Sequence, residues 1–367
     1  MEHKVINAFE VKESANQKVY KVLSLFSGLG GMDLGFRGGF QFLNNEYAKN
    51  PFDIIFANDI FKQAADIYEH NFDHKVERKS ISELNLEQDL PKETVDIVLG
   101  GFPCQSFSYA GKRGGLGDPR GQLYKEMIRV VKHYQPKMFV AENVDGIRNS
   151  NKNHKGDEIE QSALDIILKD FKKIGYDVQY HLLNAADFGV PQMRKRVIIM
   201  GIRKDLGSNN DVFYPKAQYS ENGDIGKIWK SAKDGIDDLW NKVGDPKIAN
   251  HSEKDISKAK FYLGRKMQGN CRIVADRPAP TIRAEHHGNI EGHYRTSLPD
   301  VNDIKGWRRL SVRECARLQS FPDDFILPVS ASSAYKAIGN AVPPVMVWNI
   351  ARAVLATLQN IENRDSK

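Results

Sequence analysis

The sequence predicts an α/β protein: a doubly wound, mostly parallel, Rossmann-like sheet with a smaller inserted domain. Three observations predict it. Short, continuously apolar, β-branched runs alternate with helical stretches through the first 205 residues, as in a parallel sheet covered on both faces. A glycine-rich turn, FSGLGG at 26–31, follows the first clear run. From about 206 to 306 the chain becomes polar and weakly periodic, and regular structure then returns. The expected organisation is 1–205 as the first part of one α/β domain, 206–306 as the insert, and 307–367 as closing helices of the first domain.

KVLSLFSG (21–28) reads as a strand entering the glycine turn. FDIIFAND (52–59) is a second strand, followed by the helical IFKQAADIYEHNF. VDIVLGG (95–101) is a third and ends just before Cys104. KMFVAENV (137–144) is a fourth, preceded by the helical GQLYKEMIRVVKHY. The helical EQSALDIILKDFKKIG then leads to YDVQYHLLNAADFG and KRVIIMGIR. Past the insert, SVRECARLQSF (311–321) predicts a short amphipathic helix, with Ser311 as its cap and Glu314 at the capping-box position. The last helix opens at AVPPV, where proline is tolerated because the first turn needs no backbone donor.

Of 367 residues, 41% are hydrophobic and 27% charged, the balance of a soluble globular protein. No apolar run reaches a membrane span and the N-terminal stretch lacks an apolar signal core. A cytoplasmic protein without membrane contact is expected. Cys104, Cys271 and Cys315 make no disulfide framework and their spacing does not suit zinc. His286 and His287 are adjacent but have no further ligand set, so no metal is expected. A net charge of +6 permits a polyanionic partner without requiring one.

In such a sheet the ligand crevice lies at the carboxyl ends of the strands. Gly28, Gly30 and Gly31 let the backbone turn tightly and approach a ligand, although a plain strand-to-helix turn uses glycine too. Asp33 stands where a dinucleotide fingerprint has its third glycine, which argues against nicotinamide. Phe26 can stack on an adenine, and Asp59 can bind ribose hydroxyls. Cys104 leaves a strand end through Pro103 and so belongs on a loop; a lone cysteine is otherwise usually a buried small apolar group. Glu142 and Asn143 close an apolar strand at the same crevice, where an unused carboxylate is costly. Arg194 and Arg196, two residues apart, share a face, although either alone reads as a solvated charge.

Together these parts fit one chemistry. A thiolate adds to carbon 6 of a pyrimidine. A carboxylic acid protonates or hydrogen-bonds ring nitrogen 3, and an arginine holds the carbonyl oxygen on carbon 2. Carbon 5 becomes nucleophilic enough to take a methyl group from a sulfonium donor.

In this order the segments resemble the signature of the DNA (cytosine-5)-methyltransferases of bacterial restriction–modification type, over most of 20–204 and 307–355. FSGLGG resembles the family's first cofactor motif, GGFPCQSFSYAGKRGG its nucleophile loop, AENV its acid motif and QMRKR its Gln-x-Arg-x-Arg motif. RRLSVRECARLQSFPDDF and AIGNAVPPVMV resemble its last two. The resemblance implies S-adenosyl-L-methionine as cofactor and the methyltransferase version of the Rossmann-like fold. It implies Cys104 as nucleophile, Glu142 at the ring nitrogen and Arg196 at the carbonyl oxygen. Arg194 would support the loop and a phosphate, the Pro103 carbonyl would face the exocyclic amine, and Asn143 would orient the loop. For the cofactor it implies Phe26, Ser27, Gly28, Leu29, Gly30, Gly31, Asp59, Ile60, Ser80, Ile81, Asn340 and Ala341. Ser80 stands where many members carry an aspartate that reads the adenine amine, which weakens that contact.

A base stacked in a duplex is beyond the reach of Cys104, so it must be rotated out, at a cost of roughly a few kcal/mol. The loop from Gln105 to Arg120 is the candidate to close over it, with four glycines for mobility and Gln105, Ser108, Lys112, Arg113 and Arg120 facing DNA. The insert is expected to be the target-recognition domain. Its segment 264–295 is rich in side chains that read base edges, and Gln268, Arg283, Glu285, His286, His287 and Asn289 are the candidates. Thr281–Ile282 resembles the family's Thr-Leu-like dipeptide, and the segment resembles those of members reading short sites with GG and CC. The expected partner is double-stranded DNA, bound by a monomer, with a cognate restriction endonuclease acting separately. Three alternatives stand. The insert argues against a tRNA cytosine-5 methyltransferase on the same core. The intact Cys104, Glu142 and arginines argue against a non-catalytic DNA binder. A Rossmann oxidoreductase leaves QMRKR and AENV without a task.

Overall fold

The structure is a computed structural model that describes residues 4–12, 18–103, 119–149, 161–258, 270–284, 292–296 and 302–365. After a short strand β1 (Lys4–Ile6), β2 (Tyr20–Leu25) leads through the glycine turn into α1 (Gly31–Arg37). A hairpin of β3 (Phe40–Phe42) and β4 (Asn45–Tyr47) carries the chain to β5 (Phe52–Asn58), α2 (Lys62–Asn71) and β6 (Val76–Glu77). Then come β7 (Ile97–Gly100), α3 (Tyr124–Tyr134), β8 (Met138–Val144), α4 (Ala163–Lys173), β9 (Tyr176–Asn184) and β10 (Lys195–Arg203).

These strands form a seven-stranded sheet in the order β6-β5-β2-β7-β8-β10-β9. β2 is parallel to β5 and β7, and β7 to β8, whereas β10 runs antiparallel to both β8 and β9. The sheet is buried on both faces, and the side chains divide by alternation. On β8, Met138 and Val140 enter one core cluster and Phe139 and Ala141 the other; on β10, Ile198 and Met200 join the first and Val197 and Ile199 the second. The chain builds outward from β2 to β6, then returns to the other side of β2 for β7. The glycine turn leaves β2 at this switch point, where open α/β sheets form their ligand crevice.

Beyond residue 205 the chain does not leave this body at once. β11 (Phe213–Pro215) pairs in parallel with β1. Among the described residues the next segment holds short pieces: β12 (Tyr219–Ser220), β13 (Lys227–Ile228), α5 (Ala232–Ile236), and β14 (Asn270–Arg272) beside β15 (Gly292–Thr296). β16 (Trp307–Arg309) completes a three-stranded sheet with the last two. α6 (Val312–Leu318) starts at a capping box in which Ser311 accepts from the Glu314 amide while Glu314 accepts from Ser311 N–H at 2.7 Å. α7 (Ala331–Asn340) and α8 (Pro344–Asp365) close the chain, with α8 packed on α1 and β11. By length and composition the stretch 331–364 could cross a membrane, but its most apolar window is 94% buried, as a core helix requires.

Candidate active site

The glycine turn owes its shape to two local requirements. Phe26, Gly28 and Gly30 take φ of 54°, 56° and 92°. A β-carbon on Gly30 would lie 2.4 Å from the Phe72 ring, so only hydrogen fits there. Phe26 occupies the left-handed region as a bulky residue, a conformation that costs about 1–3 kcal/mol and concentrates at ligand sites. Asp59, at the end of β5, locks the turn: its carboxylate accepts from Gly28 N–H and from Phe61 N–H, each at 2.7 Å. Burial raises the Asp59 carboxyl above its ordinary range, and these two bonds oppose the rise.

A cavity of about 480 Å³ opens over this turn. Phe26, Ser27, Gly28, Leu29, Gly31, Asp59 and Ile60 line one part, Pro103, Glu142 and Arg196 another, and Asn340 and Ala341 a third. Glu142 follows Met138 and Val140 by alternation, and Arg196 precedes Ile198 and Met200, so both side chains project from the same sheet face. Glu142 is paired in register with Ile198 and Arg196 with Val144, which makes them diagonal neighbours on antiparallel strands. Arg196 Nε donates to Glu142 Oε1 at 2.6 Å, and Arg196 Nη1 donates to the Lys195 carbonyl at 2.8 Å. Both are over nine-tenths buried. Burial raises the Glu142 carboxyl, and the charges of Arg196 and Arg194 only partly offset it.

Asn143 points to the opposite face and is fully buried. Its Nδ2 donates to the Phe102 carbonyl at 3.1 Å and its Oδ1 accepts from Val144 N–H at 2.9 Å. It thereby fixes the strand end two residues before Cys104. Arg194 corrects an expectation. It is fully buried and out of reach of a phosphate, because its guanidinium clamps backbone: Nη1 donates to the Ile282 carbonyl at 2.7 Å, and Nη2 to those of Gly339 and Ala341 at 3.0 and 2.7 Å. Gln192 does similar work. Its Oε1 accepts from Ile282 N–H at 3.0 Å and its Nε2 donates to the Leu318 carbonyl at 3.0 Å. Thr281 Oγ1 donates to the Met193 carbonyl at 2.5 Å. The Gln-x-Arg segment thus staples Thr281–Ile282 to the closing segment around Asn340, a role the sequence reading missed for Gln192.

Gly30 lies under the Phe72 ring instead of lining the cavity. Ser80 and Ile81 also fall outside the lining. Ser80 Oγ shares a hydrogen bond with Ser82 Oγ at 2.8 Å, and Ile81 is buried in the core. Met32, Phe61, Val144 and Lys336 line the cavity without having been singled out. Lys336 was legible in retrospect, because it precedes Asn340 by one helical turn. Arg283 is exposed beside Ile282. Cys104, Gln105, Ser108, Lys112, Arg113, Gln268, Glu285, His286, His287 and Asn289 lie outside the described residues, as does the side chain of Arg120.

Comparison with known proteins bears on the chemistry. The family model for C-5 cytosine-specific DNA methylase matches residues 20–356. The type II methyltransferase M.FnuDI of Fusobacterium nucleatum is 37% identical, over 93% of this chain and 96% of its own length. M.NgoFVII of Neisseria gonorrhoeae is 35% identical, over 91% and 86%. Among solved structures, the Dnmt2 methyltransferase of S. pombe superposes with a TM-score of 0.64 at 20% identity, over 93% of this chain and 98% of that one. The last supports the shared fold alone.

Proposed function

The chain belongs to the C-5 cytosine-specific DNA methylase family, and from that premise we propose that it methylates a flipped-out cytosine in a short duplex site through a covalent adduct on Cys104. It is a DNA (cytosine-5-)-methyltransferase of the bacterial restriction–modification class, and its cofactor is S-adenosyl-L-methionine. The observation that carries the proposal is the buried Glu142–Arg196 pair in the cavity that the glycine turn, Asp59 and Pro103 also line.

The residues present fit the cofactor. Phe26 and Ile60 offer apolar surface for an adenine, Asp59 an acceptor for ribose, and Asn340 a polar group beside the turn; 480 Å³ falls within the range of small-molecule sites. When bound, the cofactor supplies a methyl group on an electron-poor sulfonium. The protein supplies the rest. Cys104 forms a bond from sulfur to carbon 6. Glu142, with its carboxyl raised by burial, delivers a proton or hydrogen bond to ring nitrogen 3. Arg196 keeps that acid in place and offers its guanidinium to the carbonyl oxygen on carbon 2. Asn143 holds the Phe102 carbonyl, so that Pro103 leaves the strand at a set angle. After methylation the proton on carbon 5 passes to water and the carbon–sulfur bond breaks, restoring the thiolate.

Residues 206–306 act as the target-recognition domain in this reading. Gln268, Arg283, Glu285, His286, His287 and Asn289 meet base edges, and the loop 105–120 closes over the extruded base. The enzyme works in the bacterial cytoplasm on nucleoid DNA as a monomer, and protects sites that a separate endonuclease cuts. Transfer of labelled methyl groups to duplex DNA and to transfer RNA, followed by sequencing of methylated cytosines, tests this. Carbon-5 methylation confined to one short duplex site is the expected result. Labelling of transfer RNA alone would refute it in favour of the RNA enzyme.

A further inference from the structure

We infer that Gly101 is a positioning residue for the acid Glu142: its bare α-carbon keeps clear the space in which Glu142 Oε2 meets the ring of the target base. The inference deepens the reading of Glu142 as the acid and rests on it. The two oxygens of Glu142 are used differently. Oε1 faces the Arg196 guanidinium at 2.6 Å, whereas Oε2 has no hydrogen-bond partner among the described residues. A proton for ring nitrogen 3 therefore belongs on Oε2, the oxygen that no cation holds.

Gly100 ends β7 and pairs in register with Ala141, which brings Gly101 beside Glu142 where the two parallel strands end. Neither glycine takes a positive φ, so space and not backbone conformation decides what fits at each. Successive residues face opposite ways, and the two glycines meet different neighbours. A β-carbon on Gly100 would lie 2.8 Å from Met127 Sδ on α3, a flexible thioether that can repack at a cost in stability. A β-carbon on Gly101 would lie 3.3 Å from Glu142 Oε2 and 4.0 Å from Met32 Sδ, and all three residues line the cavity. To relieve that contact the acid must give way by a few tenths of an ångström. Glu142 is buried and its other oxygen is tied to Arg196, so it gives way only by loosening that pair. Proton delivery is sensitive to such shifts, since a misplacement of about 1 Å can cost about a hundredfold in rate.

Single-turnover methyl transfer to duplex DNA, measured across pH, tests this, with cofactor affinity read by calorimetry. Gly101→Ala should slow transfer about tenfold and leave cofactor affinity within about twofold. The decline of its rate at high pH should move upward by about half a unit. The sign follows because a methyl group displaces water from Oε2 and loosens Arg196, which with Arg194 supplies the charge that lowers the Glu142 carboxyl. Gly100→Ala should lower Tm and leave the pH profile in place. In a Glu142→Asp background the shorter acid leaves the space clear, and Gly101→Ala should there cost less than about threefold. An unchanged rate and pH profile in Gly101→Ala, the same loss repeated in the Glu142→Asp background, or a loss matched by cofactor affinity would overturn the proposal. If Gly101→Ala is too unstable to assay, the coupling is read in Tm: Glu142→Asp should recover most of the lost stability, and no recovery would overturn it. Near-normal transfer by Glu142→Gln would instead remove the acid reading itself.

Discussion

Glu142 is pulled two ways: burial favours its neutral form, and Arg196 favours its charge. Burial prevails, and the carboxyl is raised. Glu142→Gln should therefore lower methyl transfer by about a hundredfold or more while cofactor affinity, read by calorimetry, stays unchanged. In the wild type, turnover should decline as pH rises past the raised carboxyl value, because the proton for ring nitrogen 3 is then lost. Asp33 is a second buried acid, with a different consequence. Desolvation pushes its carboxyl from 3.8 up to about 6, against the lowering influence of Ser24, Tyr68 and Arg37. The unfolded chain releases this proton near 3.8 and the folded chain near 6, so the folded state binds more protons between those values. This group therefore subtracts stability progressively as pH rises through that window and by a constant amount above it. Asp33→Asn should remove that slope in denaturant titrations across the window and stabilise the protein at neutral pH. An unaltered slope would show that Asp33 ionises normally.

At the scale of elements, six strands of the sheet were readable as apolar runs while the two-residue edge strand β6 was not, and α6 was readable because Ser311 and Glu314 announce its cap. The β3–β4 hairpin and the strands of the insert were not, since segments of two or three residues, such as Tyr219–Ser220 paired with Lys227–Ile228, carry too little periodicity to register. The position of Glu142 in the cavity was legible because it breaks an otherwise apolar strand. The fate of Arg194 was not. Alternation tells which way a side chain leaves a strand, but the carbonyls it meets belong to residues 282, 339 and 341, far away in sequence. Arg194→Met should strand these buried acceptors, at about 1–3 kcal/mol each where no water replaces the guanidinium. The expected outcome is a lower Tm together with faster amide exchange across 279–284. Gly30→Ala should also destabilise, by about 1–3 kcal/mol, because φ of 92° and the Phe72 ring both exclude a methyl group, and it should weaken cofactor binding. Full stability in either variant, by thermal denaturation, would contradict the corresponding role.

At the scale of the whole molecule, Ile282, in the segment proposed for target recognition, is fastened to the same closing helices that line the cavity at the sheet's switch point. Arg194 bonds both to Ile282 and to the carbonyls flanking Asn340, so the insert and the cavity share one rigid seam. A net charge of +6 and the phosphate contacts proposed for the loop and insert should make duplex affinity fall steeply with salt, whereas cofactor affinity should barely respond. The central claim is nevertheless chemical. Incubation with the cofactor and a duplex containing 5-fluorocytosine at the target position, followed by mass spectrometry of the denatured protein, tests it most directly. The wild type should carry the oligonucleotide on the peptide containing Cys104, and Cys104→Ser should carry none while still binding the duplex. An adduct that persists in Cys104→Ser, or that maps to Cys271 or Cys315, would contradict the account.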